Sequence, residues 1–181
     1  MKWVTKNFVH LDRVACPWLI KRFVDNEAQF SFVPWDKQDE VPSDAIPFAL
    51  DGADLGPHDA EGTTFAKVLK KYSLKDPALD DIARIIAAGV NYALDLYQPS
   101  SDDNHGQVAV GLLAISEGIM LNCTSDAMIL ESSYPVYDAL YAYFRAKALM
   151  KAKGLTPPPP AGRGPGPKTE FLRELLKNNG R

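Results

Sequence analysis

The sequence predicts an α+β fold, predominantly helical, with a small N-terminal β-sheet packed against a four-to-five-helix layer. Two patterns carry this reading. Apolar and β-branched residues come in short, loosely alternating runs over the first fifty positions, and beyond position 64 they recur at helical spacing. A third observation divides the chain. The composition changes abruptly at residues 154–167 (GLTPPPPAGRGPGP), which sets off a domain over 1–153, a semi-rigid linker over 154–167 and a short helical tail over 168–181. With 181 residues, 46% of them apolar, the chain is long enough to bury a core of that kind.

The elements follow in order. Residues 2–9 (KWVTKNFV) alternate and read as a strand. Pro17 suits a first helical position, where its missing N–H costs nothing, so a helix is expected from about Pro17 to Val24 with Trp18, Leu19, Ile20 and Phe23 buried. Gln29 to Trp35 and Ala45 to Leu50 read as two more strands, which Pro34 and Pro47 push toward ends or edges. Asp51 to Thr64 is a polar loop with Gly52, Gly56 and Gly62. It leads into a helix whose stripe is Phe65, Val68, Leu69 and Tyr72. Further helices are expected over Pro77–Leu96 and Gln107–Met120, the second so apolar that it should be central. A helix capped by Ser132 or Ser133 begins near Pro135 and buries Val136, Tyr137, Leu140, Tyr141, Phe144 and Ala148. In the tail, Phe171, Leu172, Leu175 and Leu176 form an apolar stripe too short to stand alone, which points to docking, with a homo-oligomer as the expected partner.

Lys and Arg number 20 against 23 Asp and Glu, a formal charge of -3, which argues against a nucleic-acid partner. The most apolar stretch, Val108 to Ile115, is far short of the ~20 residues of a membrane span. The N-terminus MKWVTKNFVH lacks a signal core, so a cytoplasmic protein with no membrane partner is expected. Cys16 and Cys123 are expected as reduced thiols. Dinucleotide, Walker A, HExxH, GxSxG and CxxC motifs are all missing from the sequence.

Three clusters hold reactive side chains. His10, Asp12, Arg13 and Cys16 lie within seven residues. At the start of a helix beginning at Pro17, Cys16 would have its thiolate favoured by the helix dipole and by Arg13. The bland alternative is a buried cysteine beside a structural turn. His58, Asp59 and Glu61 share a glycine-flanked loop, and imidazole with carboxylate is a ligand set for zinc, iron or manganese. A divalent metal on His58 and Glu61, closed by His10 or Asp12, is therefore the expected cofactor, against a solvated acidic loop. Arg13 would offer a charged donor to a small-molecule or oxyanion ligand, with Asp12 and Cys16 beside it as candidate catalytic groups. Asp102, Asp103 and His105 sit in a loop and read as solvated.

The run from Asp12 to Asp25 (DRVACPWLIKRFVD) resembles the chromate-resistance protein family, which includes the C-terminal domain of ChrB-type chromate-responsive proteins. The resemblance continues through Phe32-Val33-Pro34, Ala45-Ile46-Pro47-Phe48, the His58 loop into Thr64-Phe65, Asp76-Pro77-Ala78-Leu79, Gly111 to Ser116 and Tyr137 to Tyr141. It covers about residues 2–150 and implies a role in chromate resistance. Some members carry an extra N-terminal regulatory region, for which 181 residues leave no room, so a transcriptional role is not expected. The family pattern also implies a second histidine and a cysteine in the His58 loop and an acidic residue around Val90. This chain has Pro57 and Glu61 instead and lacks both the cysteine and that acid, which favours a His/carboxylate site. The resemblance thus implies a small metal-dependent enzyme or metal-binding protein acting on or binding an oxyanion. The alternative is a non-catalytic module that senses chromate or a metal.

Overall fold

The computed structural model describes residues 1–37, 40–160, 162 and 164–180. Strand β1 (Lys2–Lys6) is the middle of a three-stranded sheet in the order β2-β1-β3, with β2 spanning Gln29–Val33 and β3 spanning Ile46–Pro47. Both neighbours run parallel to β1, with Lys2 opposite Gln29 and Trp3 opposite Ile46. Helix α1 (Asp12–Phe23) makes the crossover from β1 to β2 that parallel pairing requires. The chain then returns to the far side of β1 for β3. The expected third strand shrinks to two residues because Ala49 adopts a φ of 50° and turns back to bond the Leu55 carbonyl at 2.7 Å.

Among the described residues, five more helices follow: α2 (Thr64–Lys71), α3 (Pro77–Ala93), α4 (Asn104–Asn122), α5 (Asp126–Lys153) and α6 (Gly166–Lys177). A predominantly helical α+β fold with a small N-terminal sheet is therefore what forms. Trp3 and Phe48 on the sheet meet Leu19, Phe65, Ile82 and Tyr137 in the main core. Val4, Val33 and Leu50 form a small second cluster. At Gly89 on α3 an added Cβ would lie 3.1 Å from Leu11 Cδ2, so the missing side chain is what admits Leu11.

Several boundaries differ from the sequence reading. Helix α1 starts at Asp12, five residues before Pro17, because Leu11 (φ 48°, ψ -111°) breaks the backbone there and Pro17 continues the helix from inside. Helix α5 starts at Asp126 on a Ser125 cap, whose hydroxyl accepts from the Met128 N–H at 3.3 Å, and it runs through Pro135 to a left-handed Gly154. Its 28 residues are about 42 Å long at 1.5 Å per residue. Helix α4 buries Ala109, Leu112, Leu113 and Ser116 but leaves Ile115 and Leu121 in solvent, because only α3 and α5 pack on it closely. The tail helix does form, and it rests on α5 of its own chain with Leu175 buried. Arg145 on α5 donates to the carbonyls of Asn179 and Gly180 beyond its end. Among the described residues, no helix is long and apolar enough to cross a membrane.

Candidate functional site

β1 ends at Lys6, and a tight loop leads from it into α1. The Arg13 guanidinium donates to the carbonyls of Lys6 (3.2 Å), Asn7 (2.9 Å) and Phe8 (3.1 Å). The Val9 N–H donates to the Asp126 carboxylate at 2.7 Å. The Leu11 N–H donates to Ser116 Oγ, and the Leu11 carbonyl accepts from the Tyr137 hydroxyl, both at 3.1 Å. Phe8 and Leu11 sit at φ 55° and 48°. Such conformations cost on the order of 1–3 kcal/mol each and persist only where the surroundings fix them. Burial pulls the Arg13 pKa down, and the charges of Asp126 and Asp12 oppose that pull.

The alternation of β1 places Thr5 and Lys6 on opposite faces of the sheet. Both are buried, which is rare for a lysine. The Lys6 ammonium lies 3.9 Å from the Asp51 carboxylate, whose side chain is 72% exposed, and 4.4 Å from the centre of the Trp35 ring. The Arg13 guanidinium lies 5.0 Å from the same ring, so one half-exposed indole covers two cations. This group stands at the carboxyl end of a parallel sheet, beside the strand where the chain changes side. Open α/β sheets hold their ligands at that place. The backbone order thus brings two cations to one aromatic ring there. The sequence reading singled out Arg13 but neither Lys6 nor Trp35, although a lysine among the buried positions of an alternating strand was the available signal.

The remaining candidates have other neighbours. Asp12 is buried and caps α2, accepting from the N–H groups of Thr64 (2.8 Å) and Phe65 (2.9 Å). Burial pushes its carboxyl up, against the pull of those two donors. The Cys16 thiol donates to Asp12 at 3.5 Å from the interior of α1, not from its first turn. Burial first, then the charge of Asp12, raises its pKa well above the usual thiol value, so the expected thiolate at a helix start is corrected by the earlier start of α1.

His58 Nε2 lies 3.1 Å from the Asn91 amide oxygen on α3, one residue past Val90. If Nε2 donates, the buried Nδ1 is an acceptor, and it has no partner. His10 Nδ1 is likewise buried without one, and burial followed by the Arg13 charge holds the His10 pKa down. Glu61 is exposed and only its backbone N–H is bound, to Asp59 at 2.8 Å. Lys67, at 2.6 Å, holds the Asp59 carboxyl below its usual range. Among the described residues, no three His, Cys, Asp or Glu side chains gather within reach of one ion. The donor set for zinc, iron or manganese is therefore incomplete in this arrangement. Asp103 caps α4 through the Gly106 N–H, and His105 bonds Asp81 at 2.9 Å, so both are tied into helices.

Comparison with known proteins follows the same residues. The family described as ChrB, C-terminal domain matches residues 3–144. Protein ChrB of Cupriavidus metallidurans is 30% identical over 144 residues, which is 79% of this chain and 40% of that relative's length. No solved structure matches.

Proposed function

The chain belongs to the family of ChrB C-terminal domains, a chromate-resistance family, and from that premise we propose that it binds a small tetrahedral oxyanion of the chromate type at the carboxyl end of its sheet. One observation carries the reading: a buried Lys6 ammonium, covered by Trp35, has among the described residues only an exposed carboxylate at 3.9 Å for compensation. A dianion of suitable size displaces Asp51 and takes the three N–H donors of Lys6. Arg13 contributes its field and, through three carbonyl bonds, holds the end of β1 in place. It is a positioning residue here.

Calorimetric titration with chromate, with sulfate as a tetrahedral competitor at fixed ionic strength, tests the site. Lys6→Met weakens binding at least about tenfold, whereas Asp51→Asn strengthens it, because the competing carboxylate is gone. Equal affinities in wild type and both variants, or no binding by any of them, overturn the proposal.

A second reading draws on the two partnerless imidazole nitrogens, His10 Nδ1 and His58 Nδ1. It places a divalent zinc, iron or manganese ion on one of these imidazoles, with Glu61 swung in from solvent. Elemental analysis of the same samples decides it. One equivalent of metal, lost in His58→Ala, supports a metal centre, and its lack in wild type sinks that reading. With excess dithiothreitol added as the electron donor, loss of chromate's absorbance faster than in the protein-free mixture marks an enzyme, and binding without that acceleration marks a sensing module.

A further inference from the structure

A recess lies away from the Lys6 cluster, where α6 leans over α1 and α5. It encloses about 1180 Å³, more than most small-molecule sites, and Lys6 and Trp35 are not among its lining residues. Its wall comes from the family domain: Phe23 packs on Tyr141 with ring centres 5.2 Å apart, and Trp18 lies behind both. Its other side comes from α6, outside the residues that match the family, through Arg173, Leu176 and Lys177.

The charges in this recess do not cancel. Asp138 is consumed by a bidentate pair with Arg22 (2.9 and 2.8 Å) and by the Trp18 indole N–H at 2.8 Å. Asp76 accepts from the Ala78 N–H at the start of α3 and from the Tyr141 hydroxyl at 2.6 Å, neutral donors that do not offset a carboxylate charge. Among the described residues, Arg145 bonds only to carbonyls, which do not offset a guanidinium charge either. Arg173 and Lys177 lie one turn apart on α6, on the same face, and have no ion pair among the described residues. Three cations and the one carboxylate of Asp76 therefore face an aromatic wall, which leaves the recess an excess of two positive charges.

We propose that this recess binds an aromatic phosphomonoester, its ring against Phe23 and Tyr141 and its dianionic phosphate between Arg145, Arg173 and Lys177. A dianion fits because it balances the excess of two positive charges. A ring fits because the wall presents Phe23 and Tyr141 edge to face, at 73°, and a third ring can pack against either. Guanidinium groups also suit phosphate, since their planar donors match its oxygens in pairs.

Fluorescence titration of the full chain with 1-naphthyl phosphate tests the site, with 1-naphthol and inorganic phosphate as separate arms. The naphthyl phosphate binds at least about tenfold more tightly than either fragment. Arg173→Glu with Lys177→Glu, both on the exposed side of α6, abolishes that preference while the circular dichroism spectrum is unchanged. Lys6→Met leaves it intact, which separates this site from that proposed for the oxyanion. Equal binding of the three probes, no binding up to millimolar concentration, or an unaffected double variant overturns the proposal.

Discussion

Cys16 and Cys123 show how burial decides thiol chemistry. Cys16 is fully buried in α1 beside the Asp12 carboxyl, and both the lost solvent and that neighbouring charge oppose a thiolate. Cys123 is partly exposed at the end of α4, with Ser132 as its neighbour at 3.6 Å. Iodoacetamide in native buffer should therefore alkylate Cys123 at least about tenfold faster than Cys16, and the rates should converge in denaturant. Peptide mass spectrometry over time reads both rates, and faster labelling of Cys16 in the native protein would contradict the buried position. The sequence placed a cysteine near Arg13 and Pro17 correctly but gave the wrong electrostatics. Proline at a first helical turn and proline inside a helix look alike when only neighbours in sequence are visible. Arg13 was legible as an unusual cation. Its commitment to three backbone carbonyls was not, because that depends on how the loop after Lys6 folds back.

Among the elements, α2 depends most on a distant side chain. Its own cap, Thr63, accepts only from the Ala66 N–H, while the next two amides, those of Thr64 and Phe65, are bound by Asp12 of α1. Asp12→Ala strands both donors in a buried place, and the loss should be about 2–3 kcal/mol in urea unfolding. Asp12→Asn keeps an acceptor oxygen and should fall between the two. A change below about 0.5 kcal/mol in the alanine variant would show that α2 does not rely on this bond. The bodies of α2 and α3 were readable because their apolar stripes recur at three and four residues and their caps, Thr63 and Asp76, precede them directly. The body of α4 was readable too, but its position was not. An almost wholly apolar helix reads as central, yet α4 lies on the outside with Leu121 exposed, and periodicity says nothing about how many neighbours a helix has. In α5, Pro135 resembled a start signal only because the Ser125 cap, ten residues earlier, precedes an unremarkable run.

For the whole molecule, what composition and spacing left out was the connection between ends of the chain. The parallel order β2-β1-β3 and the bonds that fix Leu11 from Ser116 and Tyr137, across 105 and 126 residues, leave no periodic trace in the sequence. Those bonds hold the loop after Lys6, to whose carbonyls Arg13 is tied. Leu11 is also held by shape, since its side chain occupies the space that Gly89 leaves empty. Gly89→Ala should cost about 1–3 kcal/mol, because the new methyl meets Leu11 at 3.1 Å and the buried loop cannot retreat freely. Leu11→Ala alone should cost about 2–5 kcal/mol as a cavity. The double variant should be less damaged than the sum by about 0.5–3 kcal/mol, and additive losses would refute the lock between them. In genetic terms positions 11 and 89 then behave as one locus. A strain weakened by alanine at 89 should tolerate a smaller residue 78 places upstream better than its parent does, so selection should act on the two positions together although neither carries a charge.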